Sequence, residues 1–206
     1  MIERQVTHNK TAQRKQIILI LILFPILLMG CEQNNNDKFR VFGEVTEDFQ
    51  FRNQDNQLIT RDIFNGKVVV TDFFFTRCLS ICPIMKRQMA RIYAAYPNQK
   101  DLLLFSHTID PDNDTVEVLK NYSKGLGIKT ESWQMVTGPQ EEIFTIAKSN
   151  YMLGALKDEN SQDGYIHSGS FVLIDKNHKI RGYYDGTDEK AVDRLIVDLK
   201  EFLGEK

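Results

Sequence analysis

Two cysteines stand where they could do chemistry. Cys78 and Cys82 are spaced C-x3-C, directly before Pro83. Residues 68–75 are β-branched and aromatic, as in a buried strand, and residues 83–96 place apolar side chains at helical spacing. Pro83 disfavours helical geometry at Cys82 and suits the first helical position, so Cys82 is predicted at the N-cap and Cys78 in the loop before it. We therefore expect the two sulfurs to converge.

Two uses of such a cysteine pair remain open. The N-terminus of a helix stabilises a thiolate and lowers the pKa of a cysteine below its free value of about 8.5. A thiolate attacks disulfides and also binds soft metals. C-x2-C is the usual redox spacing, and the extra residue here leaves room for an ion. The pair could also be merely packed or joined in an inert disulfide; when oxidised, Cys78 and Cys82 are expected to pair with each other.

A third candidate ligand is His167. It lies in a polar segment bracketed by Gly164 and Gly169, directly before a predicted strand at residues 169–174. In an α/β sheet such a loop can face the first strand-to-helix loop, at the carboxyl ends of the strands. Two thiolates and an imidazole suit copper, either as Cu(I) or as Cu(II), whereas zinc ordinarily takes a fourth protein ligand. A histidine in a loop is more often a surface residue, and the cysteine pair is what favours a ligand.

Strand and helix patterns alternate along the chain and predict a single α/β domain. Turn signals predict a hairpin in residues 49–66, and residues 151–164 show no clear period and are interpreted as an insertion. The predicted strands are residues 68–75, 102–109 and 133–136, with a hairpin over 169–184. The predicted helices are residues 83–96, 115–124 and 141–150, and a last one that Asp188 caps.

The N-terminus has the pattern of an export signal. Residues 1–16 carry four basic residues and one acidic residue, and residues 17–29 are apolar throughout. This run of 13 residues is shorter than the roughly 20 that span a bilayer. It ends Leu-Met-Gly-Cys31, which resembles a bacterial lipobox, where a lipid is attached to the cysteine after cleavage before it. An uncleaved signal anchor and a chance cysteine are the alternatives.

The favoured interpretation divides the chain into three parts. Residues 1–30 are predicted to be a lipoprotein signal peptide, and residues 31–38 a polar tether that starts at the lipidated Cys31. Residues 39–206 are predicted to be the folded domain. This domain is expected in the cell envelope, on the extracytoplasmic face of a membrane, where cysteine pairs can oxidise.

Composition excludes several classes of protein. The 206 residues are 42% hydrophobic and 26% charged, which is ordinary for a globular domain and excludes disordered, collagen-like and polytopic membrane chains. Twenty-six basic residues against 28 acidic ones give no basic surface for nucleic acid. Three cysteines are too few for a disulfide scaffold.

Four further residues could serve a site. Asp110 ends a predicted strand near the cysteines and could orient a ligand through a hydrogen bond. Asp114 precedes a helix and is interpreted first as its N-cap. Met85 has a thioether that could bind copper, but it falls on the apolar stripe of its helix and is assigned to the core. His107 lies within a strand and is also assigned to the core.

Three motifs of the chain resemble those of the SCO/SenC family. Residues 72–83, DFFFTRCLSICP, resemble the family signature F-x-F-T-x-C-x3-C-P. Residues 108–115, TIDPDNDT, resemble S-V-D-P-x-x-D-T, with Thr108 in place of the more usual serine. His167-Ser168 before residues 171–175, FVLID, resembles the third motif. The motifs occur in the order of the family and extend over about residues 39–203.

This resemblance implies a thioredoxin-like α/β fold, with a central mixed sheet flanked by helices and an N-terminal hairpin extension. It also implies a membrane-tethered copper protein that helps to assemble the copper centre of cytochrome c oxidase. One copper ion per chain, as Cu(I) or Cu(II), would be held by Cys78, Cys82 and His167. The implied partners are the copper-bearing subunit of the oxidase or another cuproprotein, and the membrane through a lipid on Cys31.

The alternative function is that of a thiol-disulfide oxidoreductase. Cys78 and Cys82 would then be catalytic, one attacking a disulfide of a partner and the other resolving the mixed intermediate. Copper delivery needs no turnover, so the sequence leaves open whether the protein is an enzyme. Only copper delivery needs His167.

Overall fold

The computed structural model describes residues 39–158 and 164–204. All the described residues belong to one compact unit, Phe39–Lys206. The predicted signal peptide, Cys31 and the tether lie outside them. Among the described residues, none of the helices has the length and apolar character needed to cross a membrane.

The described residues contain ten strands, four α-helices and one 3-10 helix, Arg61–Phe64. The strands are β1 Gly43–Glu44, β2 Gln50–Asn53, β3 Leu58–Thr60, β4 Val68–Phe74, β5 Leu102–Thr108, β6 Trp133–Thr137, β7 Ala155–Lys157, β8 Tyr165–His167, β9 Ser170–Ile174 and β10 Lys179–Asp185. The helices are α1 Cys82–Ala95, α2 Val116–Gly125, α3 Gln140–Ser149 and α4 Glu189–Leu203.

Eight of these strands form one mixed sheet in the order β1-β10-β9-β4-β5-β6-β2-β3. β4, β5 and β6 are parallel neighbours, whereas β9 runs antiparallel to β4. Every residue of β4 and β5 is buried, as expected of parallel strands that are covered on both faces. The predicted central mixed sheet is therefore confirmed, and the predicted N-terminal hairpin is β2 and β3, at one edge of this sheet.

The antiparallel pairing of β9 with β4 determines which segments meet. Val69 lies opposite Ile174 and Thr71 opposite Val172, so the first residues of β9 lie beside the last residues of β4. The loop that follows β4 and the segment that precedes β9 are consequently close together, at the end of the sheet where β4 ends.

Helix α1 follows that loop and packs its apolar face into the core. Met85, Met89 and Ile92 are fully buried and repeat at helical spacing, so the assignment of Met85 to the core is confirmed. The helix begins at Cys82, with Ile81 at the N-cap, and Cys82 is thus the first helical residue and not the cap. Pro83 stands within the first turn, where its missing N–H costs no hydrogen bond.

Two segments differ from the sequence prediction. Residues 151–164 show no clear period and are interpreted as an insertion, and the structure places β7 within them, paired with β8 in a separate two-stranded sheet. His167, predicted in a loop, is the last residue of β8. Both strands have three residues and no continuous apolar run, so neither gives a strand signal in the sequence.

Candidate metal centre

The structure brings the three predicted ligands together. Cys78 lies in the loop after β4, Cys82 begins α1 and His167 ends β8. Their donor atoms all lie within 4.8 Å of one another. The cysteines are buried, with 5% and 2% of their surface exposed, and His167 is partly exposed. The group therefore lies just beneath the surface.

Weak hydrogen bonds join the two cysteines to their surroundings. The backbone N–H of Cys82 donates to Sγ of Cys78 at 3.4 Å, and Oγ of Ser80 lies 3.5 Å from the same sulfur. Sγ of Cys82 lies 3.4 Å from Nε2 of His167. Neither cysteine is joined in a disulfide, and the disulfide of the oxidised state stays a prediction.

The two thiols differ in acidity. Burial acts to raise the pKa of Cys78, but its interactions with His167, Cys82 and Ser80 outweigh burial and lower this pKa to about 6. His167 contributes to this only when its ring is protonated on both nitrogens, since it then donates to sulfur. Burial and the neighbouring Cys78 raise the pKa of Cys82. The sequence predicted thiolate stabilisation at the start of the helix; in the structure the cysteine in the loop is the acidic one, and it accepts an N–H of the first helical turn.

The imidazole of His167 is oriented for a ligand role. Its Nδ1 lies 3.1 Å from the carbonyl oxygen of Ser168, and because a carbonyl only accepts, Nδ1 carries the proton. In the neutral ring Nε2 then has a free lone pair, and this atom faces Cys82. Metal-bound histidines are commonly fixed in this way by a hydrogen bond from the other ring nitrogen.

Asp110 connects the segments that carry the ligands without touching a ligand itself. Its buried carboxylate forms an ion pair with Arg77, whose Nη2 and Nε lie 2.5 and 3.0 Å from Oδ2. The hydroxyl of Tyr165 donates to Oδ1 at 3.1 Å. Arg77 precedes Cys78 and Tyr165 lies two residues before His167, so Asp110 holds both segments in place.

The interpretation of Asp114 as an N-cap is wrong. Helix α2 is capped by Thr115, whose side chain accepts from the backbone N–H of Val118. The carboxylate of Asp114 is fully buried and accepts hydrogen bonds from the backbone and hydroxyl of Thr76 and from the hydroxyl of Thr108. Asp114 therefore joins the ends of β4 and β5 directly before the cysteine loop.

His107 lies apart from the cysteines, as predicted. It is fully buried, and its Nε2 lies 3.2 Å from the hydroxyl of Tyr151. Sequence reasoning missed Arg77 and Tyr165, although their adjacency to Cys78 and His167 was a signal. It also missed Lys86, a lysine four residues after Cys82 that is almost fully buried.

The fold and the site together define the class: an α/β protein with a Cys-Cys-His group at the end of a central strand. The sequence model of the SCO1/SenC family matches residues 39–204. The chain belongs to the SCO1/SenC family.

Curated and structural relatives agree with this membership. The SCO1 protein homolog of Bacillus subtilis is 30% identical over 156 residues, which are 75% of this chain and 80% of that protein. The crystal structure of a SCO1/SenC family lipoprotein from Bacillus anthracis is 34% identical with a TM-score of 0.72, covering 79% of this chain and 97% of that one. BsSco, described as a member of the Sco family of cytochrome c oxidase assembly proteins with a disulfide switch, is 28% identical with a TM-score of 0.70, covering 82% and 99%. The predicted thioredoxin-like fold is thereby confirmed.

Proposed function

We propose that this chain holds one copper ion between Cys78, Cys82 and His167 and delivers it during assembly of the copper centre of cytochrome c oxidase. The observation that carries the proposal is the convergence of two thiols and an imidazole nitrogen within 4.8 Å. Soft sulfur donors select Cu(I), and thiolate with imidazole also accommodates Cu(II). The lone pair of Nε2 that faces Cys82 fits the same role.

The relatives support the choice of metal and of process. BsSco is named as a member of a family of cytochrome c oxidase assembly proteins. Yeast Sco1 and Bradyrhizobium japonicum ScoI have been solved with copper bound. Their identities of 22% and 19% make this a likeness of fold, so the assignment of copper to this chain rests on its own donor set.

The surroundings of the site suit delivery by ligand exchange. His167 is partly exposed, and its neighbour Ile166 and the cysteine-loop residue Leu79 expose 49% and 79% of their surface. Three donors leave a coordination position for a ligand of the recipient. We infer that the recipient docks on this apolar rim and displaces the donors in turn. A lipid on Cys31 would keep the domain at the membrane, where the oxidase is assembled.

Copper binding by the reduced full chain tests the proposal. Cu(I) is titrated without oxygen against a competing chelator, using the unaltered chain, His167→Ala and the control His178→Asn. His178 lies in a turn with φ of 63°, a conformation that asparagine tolerates. We expect one-to-one binding that the control retains and that His167→Ala weakens more than about a hundredfold. Weak binding by the unaltered chain, or binding indifferent to His167, overturns the proposal.

The difference between the two thiols favours a second candidate, a thiol-disulfide oxidoreductase. The Cys78 thiolate would attack a disulfide of the partner, forming a mixed disulfide and releasing one partner thiolate. Cys82 would then attack Cys78 within the mixed disulfide, so that the partner leaves reduced by two electrons and Cys78–Cys82 is oxidised. On this reading Cys82→Ser traps the mixed disulfide, and His167→Ala slows exchange far less than it weakens copper binding.

A further inference from the structure

Lys86 is a buried cation without a hydrogen bond. The side chain is 3% exposed, and among the described residues its ammonium has no hydrogen-bond partner. It lies over the ring of Phe74, 3.7 Å from the centroid, with the rings of Trp133 and Tyr122 at 5.3 and 5.9 Å. Such a cage of aromatic faces attracts a cation, but it replaces only part of the lost hydration.

The carboxylate of Asp72, on β4, is also buried without a hydrogen bond among the described residues. Asp72 is fully buried, and neither of its oxygens has a hydrogen-bond partner within the described residues. Asp72 and Phe74 lie on one face of β4, because alternate residues of a strand share a face. Lys86 and Asp72 are thus two buried groups of opposite charge beneath α1 that make no hydrogen bond within the described residues. Their mutual attraction offsets part of the cost of burying them.

Cys82 of the candidate metal centre is a further negative neighbour of Lys86 when it is a thiolate. Lys86 lies one helical turn after Cys82, on the same face of α1. Burial lowers the pKa of Lys86, whereas Asp72, Cys82 and Asp114 act in the opposite direction. Asp72 lies on β4, Cys82 begins α1 and Asp114 precedes α2, and the ring of Tyr122 on α2 also lies near the ammonium.

The sign of the effect follows from the charges of the loaded site. Two thiolates, a neutral imidazole and a monovalent ion carry one net negative charge, whereas the same donors around a divalent ion are neutral. A nearby buried cation stabilises the first arrangement and, to a first approximation, leaves the second unchanged. The negative charge of Asp72 acts in the opposite sense.

We propose that Lys86 is a specificity-determining residue that shifts the preference of the site toward a monovalent metal ion and away from a divalent one. The inference rests on the proposed function and deepens it, since it assigns the charge of the cargo. Lys86 touches no ligand in this proposal and acts through the field of its ammonium alone.

Affinities for Cu(I) and Zn(II) test this inference, because both ions are d10 and Zn(II) does not oxidise thiols. The reduced full chain is titrated with each ion against competing chelators, and the ratio of the two affinities is the readout. Lys86→Leu and Lys86→Gln are expected to lower the Cu(I):Zn(II) ratio about tenfold or more. Lys86→Arg keeps the positive charge and is expected to retain most of the Cu(I):Zn(II) ratio of the unaltered chain.

Two further variants separate charge from packing. Met89→Leu repacks the next turn of α1 without a change of charge and is expected to leave the ratio as it is. Asp72→Asn removes the opposing charge and is expected to leave the ratio at or above that of the unaltered chain. Lys86→Gln carries the test if Lys86→Leu does not fold.

Each result has one meaning. The inference is overturned if the ratio is unchanged in Lys86→Leu and Lys86→Gln, or if the ratio also falls in Asp72→Asn. In either case, Cu(I) binding by the unaltered chain still upholds the proposed function. Failure of the unaltered chain to bind Cu(I) overturns the proposed function and this inference with it.

Discussion

His107 and His167 both lie in strands and both stand beside phenylalanines, yet their surroundings differ. His107 is fully buried and makes ring contacts with five aromatic side chains. These are Phe49, Phe51, Phe73, Phe105 and Tyr151. Its Nδ1 has no hydrogen-bond partner among the described residues. His167 is partly exposed, has Nδ1 fixed by a carbonyl and presents Nε2 to a sulfur.

The comparison shows what turns a histidine into a candidate ligand. Each ring has one nitrogen engaged by a neighbouring oxygen, so the fixed nitrogen does not distinguish them. The other nitrogen of His107 is buried without a hydrogen-bond partner among the described residues, whereas that of His167 faces the sulfur of Cys82. A histidine is therefore a candidate metal ligand when its free nitrogen faces a soft donor and lies where an ion can enter and leave.

The largest expected effect is the loss of stability in His107→Ala. Truncating this buried side chain leaves a cavity among aromatic rings and removes the partner of Tyr151, so the free energy of unfolding should fall by about 2–4 kcal/mol. His167→Ala, at a partly exposed position, should change it by less than about 1 kcal/mol. Urea denaturation of the metal-free proteins measures both.

Cu(I) titration of folded His107→Ala completes this comparison. The affinity is expected to match that of the unaltered chain, because no donor atom lies beside His107. A loss of affinity as large as in His167→Ala would show that the two histidines belong to one functional unit.

The next effect concerns pH. Burial lowers the pKa of His107 to about 3, below the ordinary value of about 6.5. Between these values the unfolded chain binds a proton that the native chain does not, so this contribution to stability is fully present above pH 6.5 and is lost as the pH falls toward 3. The slope reaches about 1.4 kcal/mol per pH unit.

Urea denaturation between about pH 7 and pH 5 measures this slope. The unaltered chain and His178→Asn are expected to share it, and His107→Ala to show a shallower one. If His107→Ala keeps the full slope, the proton uptake belongs to another group.

The smallest expected effect is a loss of Cu(I) affinity in Asp110→Asn, which tests how His167 and Cys78 are positioned. Asp110→Asn weakens the ion pair with Arg77 and the hydrogen bond from Tyr165, so the segments that carry Cys78 and His167 are held less firmly. Cu(I) affinity is expected to fall about tenfold. Asp112→Asn, at an exposed position two residues away, is the matched control. Equal affinities of the two variants would remove Asp110 from a positioning role.

Local patterns were enough to predict the frame of the site. The β-branched and aromatic run of β4 and the apolar stripe of α1 place the cysteine loop between a buried strand and a helix. His167 was identified as a candidate, but its strand was not, because β7 and β8 are stabilised by pairing with each other and by no apolar run of their own.

Other features depend on tertiary contacts that no local pattern records. Asp114 stands beside Thr115, and both residue types cap helices. Only the folded chain shows that the carboxylate of Asp114 accepts hydrogen bonds from Thr76 and Thr108 instead. Lysine is mostly an exposed residue, so the sequence gives no sign that Lys86 is buried. Its burial depends on tertiary contacts with the rings of Phe74, Tyr122 and Trp133, which belong to three other elements.

The separation of the ligands along the chain has a consequence for synthesis. Cys82 and His167 are 85 residues apart, and the N-terminal part of a chain emerges from the ribosome first. Both thiols are therefore made long before the imidazole, and the three donors meet only after β9 has added to β4. An ion held by all three would bind the folded domain and not the unfolded chain, and would stabilise the folded domain accordingly. A chain that ends before His167 can offer copper only two of the three donors of this site, so complete loading is reserved for a finished domain.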